Sequence, residues 1–284
     1  MDLRPGRNGL PYLPLTARDG AHVDIYADGA QVTSWIPAGG KEQLFLSPRS
    51  EFEPGRAIRG GVPIIFPQFS GEGPLPKHGF ARNQMWRLDS AEVGAKGAVA
   101  EFSLEDSDAT RVIWPSRFKA SCRVEFGGNQ LAVTLGVTNI DAGPFSFTAA
   151  LHTYLAVTDC RTVSVSGLKD LAYRDAAQGD PPGTSPRLDR QTVLRFKSEV
   201  DRVYYGAGAV QVSETGRELD ISARGFPDVV VWNPGPELAA KLKDLPPEGH
   251  LHFICVEAAV IGRPVLLAPG QSWQGTQVMK TKDE

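Results

Sequence analysis

The chain has 284 residues, 41% hydrophobic and 22% charged, the balance of a soluble globular protein long enough to bury its own core. Its 30 basic and 33 acidic residues leave a net charge of −3, which provides no polyanion-binding surface and excludes nucleic acid as the expected partner. No apolar run is long enough to span a bilayer, so no membrane is expected, and the three cysteines lack the C-x-x-C spacing of a metal or redox site.

The segment Met1–Arg7 has no apolar h-region, and the odd, scattered cysteines (Cys122, Cys160, Cys255) fit a reducing compartment, so a cytoplasmic location is expected. Glycine (30) and proline (22) are spread throughout, with no repeat and no linker, which favours many short elements within a single domain, residues 1–284.

The first chemically dense stretch is Ile58-Arg59-Gly60-Gly61-Val62-Pro63-Ile64-Ile65-Phe66-Pro67-Gln68-Phe69, an apolar run with an arginine at its head. Gly60-Gly61 permits a close approach of backbone to a neighbour or ligand. Soon after, Pro76-Lys77-His78-Gly79-Phe80-Ala81-Arg82 places lysine, histidine and arginine together. Arginine presents a planar fork to phosphate or carboxylate, so Arg59, Arg82 and Lys77 on one pocket suit a phosphate dianion. The alternative is that both arginines pair with carboxylates or carbonyls at loop bases.

Further on the period is two. Cys122–Phe126, a turn at Gly127-Gly128-Asn129 and Leu131–Thr138 read as a hairpin. Ala149–Val157 reads as a strand carrying His152, whose imidazole could serve as a general acid or be a buried histidine satisfied by backbone. Val163–Ser166 alternates cleanly. Asp175 could bind sugar hydroxyls or cap a turn. A second hairpin runs through Val210–Val212, turns near Glu214–Arg217 and returns along Leu219–Ile221.

Val229–Trp232 is a strand candidate, with Trp232-Asn233 offering a ring and an amide or simply core. One short helix is expected near Leu238–Leu245. Leu251–Glu257 is an almost wholly apolar strand ending in a carboxylate. Such a carboxylate needs a partner or a polar cleft. Many short strands joined by Gly/Pro turns predict an all-β antiparallel sandwich or barrel. No nucleotide-binding glycine motif follows a strand, no histidine–carboxylate set has metal-ligand spacing and no serine lies in a nucleophile elbow, so no cofactor and no metal are expected.

Taken in order, Arg59-Gly60-Gly61-Val62-Pro63 with Phe66-Pro67, His78-Gly79-Phe80-Ala81-Arg82, His152-Thr153-Tyr154, Tyr173-Arg174-Asp175, Asp228 to Pro234, Cys255-Val256-Glu257 and Leu267 to Trp273 resemble the glucose-6-phosphate 1-epimerase branch of the aldose 1-epimerase (galactose mutarotase-like) family. The resemblance covers nearly the whole chain and implies a large antiparallel β-sandwich, the galactose mutarotase-like supersandwich, with the sugar on a concave face. It also implies interconversion of the α and β anomers of a hexose 6-phosphate, with glucose 6-phosphate the first candidate.

The resemblance further implies that His152 acts as general acid and Glu257 as general base, that Arg59 and Arg82 hold the phosphate, and that Asp175 and His78 contact the sugar. Lys77 stands where the family commonly has glutamine and is expected to add a third positive charge to the anion site. The expected partner is a small-molecule sugar phosphate, bound by a monomer or weak homo-oligomer. A free-sugar aldose 1-epimerase and a non-catalytic sugar-phosphate-binding protein are the alternatives. Two arginines argue against a neutral C6 hydroxyl, and a pure binder needs no acid–base pair.

Overall fold

The structure is a computed structural model that describes residues 1–282. Its strands form sheets of four, eight and nine strands, and every pairing between named strands is antiparallel. The four-stranded sheet comes from residues 4–36. The nine-stranded sheet holds both expected hairpins. One is Phe118–Gly127 with Gln130–Asn139, which turns at Gly128-Asn129, where Gly128 has φ +56°. The other is Val210–Glu214 with Arg217–Arg224, which turns at Thr215-Gly216.

The eight-stranded sheet places the site. Its order is Arg187–Leu188, Ala172–Asp175, Val200–Tyr205, Asp228–Asn233, Phe253–Leu267, Phe145–Leu151 and Ile64–Ile65, with Tyr154–Ala156 also paired to the long strand Phe253–Leu267. That strand alternates across the sheet, as strand geometry requires. Ile254, Val256, Ala258 and Val260 enter the main core, which includes residues of all three sheets. Cys255, Glu257 and Ala259 stand on the opposite face, where the two apolar ones join smaller clusters.

Two expectations shift. The segment Ala149–Val157 is not one strand: pairing stops at Leu151 and resumes at Tyr154. At the break, the His152 backbone N–H donates to Pro63 O at 2.9 Å and that of Tyr154 to Gly61 O at 2.8 Å. The C-terminal helix is Gly235–Ala239 rather than Leu238–Leu245, because Pro236 opens it and Asn233 Oδ1 accepts from the Gly235 N–H at 2.9 Å. A helix at Asp108–Ile113, absent from the sequence reading, is capped by Ser107, whose side chain accepts from the Thr110 N–H. Among the described residues no helix is long and apolar enough to cross a membrane.

Candidate active site

A cavity of about 460 Å³ opens on the outer face of the eight-stranded sheet, within the size range of small-molecule sites. Its lining includes Arg59, Lys77, His78, Arg82, His152 and Glu257, six of the seven expected site residues, together with Glu72, Arg174, Asp201 and Trp232.

The loops reach it by close backbone packing. Gly60 has φ +125°, and a Cβ there would lie 2.3 Å from Phe45 O, so the glycine pair serves contact with neighbouring chain rather than with a ligand. His78 and Gly79 are both left-handed, at φ +68° and +65°. A Cβ on Gly79 would fall 2.2 Å from Phe66 O. A left-handed histidine stores strain at a site that fixes it from both sides. Its Nδ1 accepts from the Ser70 N–H at 3.3 Å, which leaves Nε2–H as the donor. Burial, with Arg82, Lys77 and Arg59 nearby, pushes His78 down to about 2, so this imidazole is neutral.

His152 and Glu257 meet at the cavity floor. Nδ1 lies 3.2 Å from Oε1, near enough to exchange a proton but not aligned as a hydrogen bond, so Nδ1 and the other carboxyl oxygen, Oε2, are buried without partners. Burial first, then His78, Arg82 and Arg59, hold His152 well below the ordinary 6.5. Burial first, then Asp201, pushes Glu257 well above 4.5. Both shifts favour an uncharged pair with one proton between its members, and the two groups titrate as a unit.

The arginines differ. Arg59 is partly structural: Nε donates to Asp244 Oδ2 at 3.0 Å and Nη1 to Tyr154 Oη at 2.9 Å. Arg82 has no carboxylate partner among the described residues. Its Nε is buried and unpaired, and Nη2 makes one long contact, 3.5 Å, to Lys77 O. The side chain is half-buried, and a guanidinium N–H sealed from water without a partner is costly unless a ligand supplies one. Lys77 is exposed at the rim and also has no carboxylate within ion-pair distance among the described residues.

Asp175 is a correction. It stands opposite Arg202 across the strand pair, and Arg202 Nε donates to its Oδ2 at 3.0 Å. Strand alternation decides this: Tyr173 and Asp175 share the side turned from the cavity, and Arg174 faces in. The aspartate that lines the cavity is Asp201, pushed up to about 6 by burial despite Arg174 and Lys77. Sequence reasoning missed Asp201 because the hydrophobic alternation of Val200–Tyr205 is irregular, as its burial pattern shows. Arg174 pairs with Glu72, which ties the loop before Lys77 to the sheet. Asn233 is structural as well: its amide donates to His250 O and Phe253 O, both at 2.8 Å. Trp232 sets its ring edge-on to His152, with centroids 5.7 Å apart.

Ligand atoms of His152, Cys255 and Glu257 come within 4.8 Å of one another, a trio that sequence spacing hides. It suits a metal poorly. Burial pushes the Cys255 thiol well above 9, so it stays protonated, and Arg59, Arg82 and Lys77 already charge the cavity positively. Elsewhere, a cavity of about 500 Å³ lies between Lys41 and Arg217. There Arg217 Nη1 donates to Glu214 Oε1 at 2.9 Å, and no histidine is present.

A family model described as Aldose 1-epimerase matches residues 12–280. A protein of Cenchrus ciliaris named "Putative glucose-6-phosphate 1-epimerase" is 36% identical over 279 residues, covering 94% of this chain and 84% of that one. A protein of the same name from Salmonella typhimurium is 36% identical over 244 residues, covering 83% and 79%. A solved structure from Salmonella typhimurium, described as "a putative mutarotase (YeaD)", superposes with a TM-score of 0.90 at 30% identity, covering 99% of this chain and 93% of that one. A galactose mutarotase-like protein from Clostridium acetobutylicum, at 14% identity and TM-score 0.82, shares the fold. By the extent of these matches, the chain belongs to the aldose 1-epimerase family.

Proposed function

We propose that the protein interconverts the α and β anomers of a hexose 6-phosphate, with glucose 6-phosphate the first candidate. The observation that carries the phosphate is Arg82, half-buried, with its Nε sealed from water and unpaired and no carboxylate partner among the described residues, beside Arg59 and Lys77. A neutral C6 hydroxyl gives no reason to bury such a cation. The names of the relatives from Cenchrus ciliaris and Salmonella typhimurium agree with this reading.

Anomerisation needs one proton taken from the C1 hydroxyl and one delivered to the ring oxygen. Glu257 takes the first and His152 gives the second. Rotation about C1–C2 exposes the other carbonyl face, and the two groups exchange roles on closure. Each positioned acid or base contributes about 10²–10⁴ in rate.

Donation by His152 calls for a protonated imidazole, a form that burial first and then the neighbouring cations disfavour. Burial first, then His78, lower the imidazole; the phosphate dianion offsets the field of Arg82 and Arg59, the next causes, and so favours the shared proton on the imidazole. With Nδ1 turned to Glu257, Nε2 is the nitrogen left for substrate. His78, neutral, donates to a sugar oxygen, and Asp201 replaces Asp175 as the acceptor for sugar hydroxyls.

The enzyme works in the cytoplasm as a monomer or weak homo-oligomer, where its three free cysteines stay reduced. The reading is tested by following anomer exchange for glucose 6-phosphate, glucose and galactose. Glucose 6-phosphate is expected to have the highest kcat/KM, and preference for a free sugar contradicts it.

A further inference from the structure

In a hexopyranose 6-phosphate the phosphorus is separated from C1 by O5, C5, C6 and O6, so a site that uses one to promote chemistry at the other gains from a connection in the protein. Tyr154 spans both. Its hydroxyl accepts from Arg59 Nη1 at 2.9 Å. Its ring stacks on the imidazole of His152, centroids 4.8 Å apart and planes within 7°. It is buried and does not line the cavity. Cross-strand pairing sets it opposite Cys255, two positions from Glu257, and Trp232 closes edge-on against both rings. Asp244 holds the Arg59 guanidinium from its other side at 3.0 Å.

We propose that Tyr154 is a positioning residue that couples the anion site to the acid–base pair: its hydroxyl holds Arg59 for the phosphate, and its ring holds His152 in the plane from which the proton is delivered. The inference rests on the reading that Arg59 and Arg82 receive the 6-phosphate. Its two halves separate by substitution. Tyr154→Phe keeps the ring and loses the hydroxyl. Tyr154→Leu loses both. One hydrogen bond to a charged group corresponds to about tenfold in KM. Loss of the stacked ring frees the imidazole to turn, and small misplacements of a catalytic group cost on the order of 10²-fold.

The experiment measures anomer exchange of glucose 6-phosphate by wild type and both variants, with folding checked by circular dichroism and thermal melting. For Tyr154→Phe, KM is expected to rise about tenfold with kcat within about twofold of wild type. For Tyr154→Leu, KM is expected to rise equally and kcat to fall at least tenfold. An unchanged KM in Tyr154→Phe overturns the proposal, and so does equal kcat in the two variants. A merely structural tyrosine lowers the melting temperature of both and leaves KM alone, which also overturns it. If wild type fails to turn over glucose 6-phosphate, the functional reading falls and this inference with it. If wild type is active and only the split is missing, the inference alone falls.

Discussion

Arg59 and Arg82 share one cavity but differ in their partners, and that difference sets what their loss does. Arg82→Ala removes a cation with no protein anion, so KM for the hexose 6-phosphate is expected to rise on the order of tenfold or more while the melting temperature stays nearly unchanged. Arg59→Ala leaves Asp244 unpaired and Tyr154 without its donor, so KM is expected to rise and stability to fall by about 1–3 kcal/mol. Lys77→Gln, at the exposed rim, is expected to raise KM a few-fold at low salt and hardly at high salt, with kcat unchanged, because a solvated charge is screened. An unchanged KM at low salt means that Lys77 is a solvent residue. Steady-state kinetics and melting curves at two salt concentrations read all three. These residues were legible because cations and histidine clustered in short segments. Tyr154 was not. It stands within the motif His152-Thr153-Tyr154, but stacking and a contact 95 residues away are not sequence signals.

At the level of elements, strand parity separates Asp175 from Asp201. Asp175→Asn is expected to weaken the Arg202 pair and lower the melting temperature with little change in KM. Asp201→Asn is expected to impair turnover yet stabilise the protein. Burial raises the Asp201 carboxyl to about 6, so its contribution to stability is full below the ordinary value of 3.8 and is lost as pH rises from there to about 6. The substitution is therefore expected to stabilise by on the order of 1 kcal/mol at pH 8 and not at pH 4. Melting curves of the variant and wild type at both pH values check the sign, and stabilisation confined to acid contradicts it.

Both hairpins were readable from period-two alternation and Gly/Asn turns. The misread strand and helices had local causes. His152 and Thr153 look like strand interior, but their backbone turns to Pro63 and Val256. The helix at Asp108–Ile113 has its cap in Ser107, yet the reciprocal partner is Thr110 rather than the glutamate or glutamine that marks a capping box in sequence. Asp175 was misplaced because a motif fixes a segment, whereas the face each residue takes depends on pairing register.

Across the whole molecule, the main core joins residues of all three sheets, from which one cooperative unfolding transition is expected by calorimetry. The all-β architecture was legible from turn spacing, and the family from its ordered motifs. The packing that buries Glu257 opposite His152 was not, because residues 105 positions apart meet only once the eight-stranded sheet is assembled; their numbers differ by 257 − 152. The cationic cavity and protonated Cys255 also predict that exhaustive chelation leaves turnover intact. A loss restored by one divalent metal contradicts that.

The proposed mechanism rests on one proton shared by Glu257 and His152 and moved by the bound phosphate. It is tested most directly by exchange NMR of the glucose 6-phosphate anomers with wild type and with folded Glu257→Gln and His152→Ala. Wild type is expected to exchange the anomers far faster than buffer, and each variant to lose about 10² or more of that rate. Near-normal exchange in either folded variant would contradict the account.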